Sequence, residues 1–66
     1  MASKARTPIA TLAVVEELPQ GGTRARYTLE VWPSHDLDER AAKAEAVRAR
    51  LEAETGHTVI VNTHAA

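Results

Sequence analysis

Sixty-six residues allow one small domain, and 44% apolar with 26% charged residues at net charge −1 is the composition of a folded globular chain. There is no cysteine, so neither a disulfide framework nor a thiolate metal site is available to hold so short a fold. No apolar run approaches the roughly 20 residues that cross a bilayer, and no signal-peptide stretch opens the chain, so a cytoplasmic protein is expected.

Residues 1–7 are small and polar, with Lys4 and Arg6 the basic side chains, and read as a flexible tail ahead of a single domain over 8–64. Residues 8–18 (PIATLAVVEEL) are apolar and β-branched and predict a first strand, with Pro8 tolerated at its start. The segment PQGG that follows is a turn: Pro19 sets φ for the bend, and Gly21 and Gly22 accept positive φ. Residues 23–32 alternate, with Ala25, Tyr27, Leu29 and Val31 on one face and Arg24, Arg26, Thr28, Glu30 and Trp32 on the other. That is a second strand.

Pro33 ends it. Asp36 as N-cap with Glu39 three residues on makes a capping box, with Ser34 the rival cap, and Asp38 adds charge at the positive end of the helix dipole. Residues 36–55 are rich in Ala, Glu, Arg and Lys, and Leu37, Ala41, Ala44, Val47 or Arg48, and Leu51 mark a stripe at helical spacing. Asp36–Arg40 and Glu39–Lys43 are spaced as i,i+4 ion pairs. Gly56 suits the left-handed position just past the helix. Residues 57–63, centred on Val59, Ile60 and Val61, predict a third strand.

The order strand, strand, helix, strand implies an α+β domain of ββαβ type. Its three-stranded sheet would be mainly antiparallel, in order 2-1-3, with the helix on one face. The first strand, apolar on both faces, suits the centre; parallel pairing of the third strand with the second is the other solution. A four-residue hairpin loop would pair Leu18 with Thr23, Val14 with Tyr27 and Leu12 with Leu29, and on the opposite face Val15 with Arg26 and Glu17 with Arg24.

The face left without a helix would then carry Ile9, Ala13, Val15, Trp32 and Ile60, rimmed by Arg24, Arg26 and Glu17. Apolar groups ringed by charge, with Trp and Arg among them, are the composition of a contact surface. The candidate interface is therefore Ile9, Val15, Arg24, Arg26, Trp32 and Ile60. This pattern points to a small non-enzymatic interaction module. The expected protein is a homodimer acting as an accessory, regulatory or inhibitory protein on a larger protein or complex, of the miniature kind that phages and mobile elements encode. The alternative is nucleic-acid binding along a basic stripe of Lys4, Arg6, Arg24 and Arg26, with Trp32 as a stacking group. Only two aromatic residues and a negative net charge weigh against it.

Little supports chemistry. His35, His57 and His64 are spread over a helix start and opposite ends of a strand, without metal-ligand spacing, and His57 suits a cap for the negative helix end. Ser34-His35-Asp36 holds the letters of a catalytic triad, but consecutive residues cannot make its geometry. No cofactor, metal, catalytic residue or membrane contact is expected.

Overall fold

The computed structural model describes residues 7–65. The tail residues before Thr7, Lys4 and Arg6 among them, lie outside the described residues. Strand β1 (Ala10–Glu17) and strand β2 (Thr23–Val31) form an antiparallel hairpin, helix α1 (Leu37–Thr55) crosses back over it, and strand β3 (Val59–Ala65) completes the sheet. The order is β2-β1-β3 with both pairings antiparallel, so the apolar first strand is central as expected.

Alternation along β1 decides which side is inside. Ala10, Leu12, Val14 and Glu16 are buried, while Thr11, Ala13 and Val15 on the other face are half-buried. The core under α1 joins Ala10, Leu12, Val14, Val31, Ala44 and Val59, with Tyr27, Leu29, Val47, Leu51 and Val61 packed around it. Two of the six buried apolar side chains are alanines. The fully enclosed bulk is therefore small, as the short chain dictates.

The helix is bounded as its sequence requires. Asp36 takes extended φ/ψ and its Oδ1 accepts the N–H groups of Asp38 and Glu39; Gly56 sits at φ 74° and its N–H donates to Glu52 O. A side chain at Gly56 would meet no neighbour, so the preference for glycine there comes from the backbone alone. The packing stripe is shorter than its spacing predicts: Ala44, Val47 and Leu51 dock, but Leu37 is 51% exposed and Ala41 is also exposed. The first turn of α1 overhangs the end of the sheet. Ion pairing also shifts along the helix, because neither Asp36–Arg40 nor Glu39–Lys43 pairs among the described residues. Arg48 instead binds Glu45 at 2.6 Å and Glu52 at 2.9 Å.

The hairpin register holds for only part of its length. Ala10 faces Val31, Leu12 faces Leu29 and Val14 faces Tyr27, as a four-residue loop requires. Beyond Val14 the pairing slips by one: Val15 faces Ala25, Glu16 faces Arg24 and Glu17 faces Thr23. Arg26 is the extra residue of a β-bulge, and the loop closes on Gly22, whose carbonyl accepts from Leu18 N–H at 3.0 Å. The expected pairs Val15–Arg26, Glu17–Arg24 and Leu18–Thr23 are therefore corrected. Ala25 joins Val15 on the open face, and Arg24 moves to the face of Glu16.

The uneven docking of α1 sets separate expectations for its first turn and for the core. Val14→Ala should lower the unfolding free energy by about 2–3 kcal/mol, lost burial plus the cavity left behind. Leu37→Ala should cost less than about 1 kcal/mol, because half of that side chain is already in water. Urea titration of both variants gives the two values; equal losses would mean that the first turn is packed after all.

Candidate functional site

Three features carry polar or exposed groups that could act outside the fold. The first is the carboxylate of Glu16, whose side chain is only 4% exposed although it lies one residue from the end of the central strand. Arg26 Nη1 donates to its Oε1 at 2.8 Å, and His57 Nδ1–H donates to its Oε2. The partners approach from the two sides of β1: Arg26 from the bulge in β2, His57 from the link between α1 and β3. The His57 bond and then the Arg26 bond hold the Glu16 carboxyl below its ordinary value of 4.5, against the opposing effect of burial. His57, expected to cap the helix, is thus turned to Glu16, while its backbone N–H donates to Thr55 Oγ1 at 3.1 Å.

The second feature is a half-open hollow of about 440 Å3 at the start of α1, lined by Ser34, His35, Asp36, Glu39, Arg40 and Lys43. Trp32 N–H donates to His35 Nδ1 at 3.0 Å. A neutral ring that accepts at Nδ1 carries its proton on Nε2, so Arg40 Nη2, 2.7 Å from Nε2, meets a donor and adds no hydrogen bond there. His35 is a latch on the chain between β2 and α1. Ser34, His35 and Asp36 share the hollow, but Asp36 is spent on the helix N–H groups. Among the described residues no three of His, Cys, Asp and Glu are placed to hold a metal ion.

The third feature is the sheet face turned away from α1. Across the strands it reads Glu30–Thr11–His64, Thr28–Ala13–Asn62 and Ala25–Val15–Ile60. Ile9, 48% exposed, lies at one end, its N–H donating to Val31 O at 2.7 Å beside Trp32. Of the expected interface residues, Ile9 and Trp32 fall at one end and Val15 and Ile60 at the other, six strand positions or about 20 Å away. Polar rows through Thr11, Asn62 and Thr28 divide them. The bulge takes Arg24 and Arg26 off the rim of this face. Arg26 is committed to Glu16, which removes one of the two strand arginines from the expected basic stripe.

The bulge and the Glu16 cluster were missed by sequence reasoning. The available signal was a glutamate at an inward-facing strand position, since a buried carboxylate demands partners. No helix among the described residues is long and apolar enough to cross a membrane. No protein-family model, curated protein or solved structure matches the chain.

The lowered pKa fixes the sign of a pH effect. Carboxylate binding contributes stability fully above the unfolded-state value, near 4.5, and this contribution disappears as pH falls through the lower folded-state value. The stability difference between wild type and Glu16→Gln should therefore shrink as pH is lowered from about 5, measured by urea unfolding at each pH. A difference that stays constant through this range would show that ionised Glu16 does not support the fold.

Proposed function

We propose that the protein is a small non-enzymatic interaction module that forms a homodimer and docks on a larger protein or complex as an accessory, regulatory or inhibitory component. The observation that carries this reading is the one-sided cover of the sheet. A single helix shields one face; on the other, among the described residues, Val15 and Ile60 are half-buried at one end and Ile9 is exposed at the other, beside a half-buried Trp32.

Two physical considerations support it. Among the described residues, only Leu12, Val14, Val31 and Val59 are buried apolar side chains larger than alanine, so a second copy would add apolar burial that the monomer lacks. The separation of the two apolar groups on the open face suits a broad contact with a protein surface better than a pocket for a small molecule. Two of the basic side chains among the described residues are already paired: Arg26 with Glu16, and Arg48 with Glu45 and Glu52. This weighs against phosphate-backbone binding, which needs free cations along one surface.

Sedimentation equilibrium over a concentration series, with and without a short DNA duplex, tests the reading. The expected result is a reversible monomer–dimer equilibrium that the duplex leaves unchanged. A monomer at every concentration would remove the dimer from the proposal. Binding of the duplex with a steep salt dependence would replace protein docking with nucleic-acid recognition.

A further inference from the structure

The free edges of the sheet differ in how they are protected. In β2 the edge is interrupted by the bulge at Arg26 and lined by Arg24, Arg26 and Glu30; bends and charges of this kind keep sheet edges from pairing. In β3 the phase of the edge is fixed by Glu17 N–H, which donates to Thr58 O at 2.9 Å. Strand alternation then turns the backbone groups of Ile60, Asn62 and His64 towards β1 and those of Val59, Val61, Thr63 and Ala65 outward.

The first outward position is already taken. Glu52 Oε2 accepts from Val59 N–H at 3.3 Å, and Arg48 Nη1 donates to Val59 O at 3.3 Å, so two helix side chains stand in for a neighbouring strand. Arg48 is itself held by Glu45 and Glu52, which fixes the clip. Beyond it no side-chain hydrogen bond to the outward backbone groups of the edge is seen among the described residues. Residues 61–65 contain no Asp, Glu, Lys, Arg or Pro and no bulge, and burial falls away along the strand, from Val59, which is buried, to Asn62, Thr63, His64 and Ala65, which are exposed.

We infer that the dimer forms by antiparallel pairing of β3 with β3 of a second copy, about a two-fold axis at Thr63. This rests on the dimer proposed above and adds where the copies meet. The clip selects the register. Outward groups must meet outward groups, and pairings centred on Val61 or Asn62 would both require the groups of Val59, which Arg48 and Glu52 occupy. Centring on Thr63 uses all three free positions: Thr63 meets Thr63, and Val61 meets Ala65 twice. Asn62 then lies opposite His64 on the open face, so hydrogen-bonding side chains meet across the seam and no like charges do. The interface is isologous and closes after two copies, giving a six-stranded sheet with both helices on one side. Both open faces remain free for a larger partner.

Three variants and one technique test this. Thr63→Pro removes an N–H that points away from β1, so it costs no bond within the sheet, yet it deletes two symmetry-related bonds between copies. The expected result is a folded chain by circular dichroism whose dimer is weaker by about tenfold or more in sedimentation equilibrium. Trp32→Ala, on the open face, should leave the dimer unchanged. Thr63→Cys supplies the chain's only thiol and should form a disulfide-linked dimer under mild oxidation, since paired Cα atoms lie about 5.5 Å apart. A wild-type dimer that persists in Thr63→Pro, or that Trp32→Ala breaks instead, overturns edge pairing and leaves the dimer itself standing. If Thr63→Pro does not fold, a wild-type-like dimer of Thr63→Cys that fails to cross-link overturns it equally. A wild-type monomer overturns both.

Discussion

Removing a carboxylate from water costs several kcal/mol unless charge and hydrogen bonds replace its hydration, and Glu16 imposes that requirement near the end of the central strand. Its two oxygens take one donor each, from Arg26 and from His57. Local features of the fold can be read as consequences. The bulge aims the Arg26 side chain at Glu16, which a regular strand would turn to the other face. The extra residue makes the hairpin close on Gly22 and brings Ala25 beside Val15. At the other side, the left-handed turn at Gly56 ends α1 and leads directly into His57. One buried charge thus ties together the hairpin, the helix end and the entry to β3.

Local chemistry was legible in the sequence where a single segment decides the outcome. An apolar, β-branched run located β1 and alternation located β2, Asp36 and Gly56 bounded the helix, and the doubly apolar first strand found the centre of the sheet. Features that depend on contacts distant in sequence were not legible. Arg26 and Glu16 are ten residues apart and His57 is forty-one from Glu16, so no periodicity connects them. The helix ion pairs illustrate the same boundary: spacing alone favours Asp36–Arg40, but Asp36 is occupied by helix N–H groups. Arg48 gains more because the start of β3 lies within its reach. Which side chains share the open face was only partly readable for the same reason: Val15 and Ile60 fall together as expected, whereas the bulge moves Arg24 and Arg26 off that face.

A three-stranded sheet with one helix has one covered face, one open face and two edges, and each uncovered part meets water differently. On the open face, Thr11, Thr28, Glu30, Asn62 and His64 separate the apolar groups, which limits indiscriminate association between faces. Along β2, charge and a bulge blunt the edge. Along β3 the protection is partial, since Arg48 and Glu52 satisfy Val59 and no corresponding side chains are seen at Thr63 or Ala65. The helix therefore serves both as core cover and as edge guard, the second role through Arg48 and Glu52 at Val59.

The proposed role in recognition draws on groups that the fold leaves free. Acid–base catalysis needs titratable side chains gathered around a space that a substrate can enter. Here Glu16 is closed in by Arg26 and His57, Asp36 serves the helix start, and Glu45 and Glu52 hold Arg48. In the hollow that does exist, His35 uses Nδ1 to latch the backbone of Trp32. Among the groups that stay uncommitted are apolar surface on the open face and backbone N–H and C=O groups along β3. Apolar surface gains from leaving water, and strand edges gain from a parallel or antiparallel neighbour. Both are resources for binding another polypeptide. A chain too short to enclose a large core leaves both at its surface, so the smallness that limits the stability of the monomer also equips it to associate.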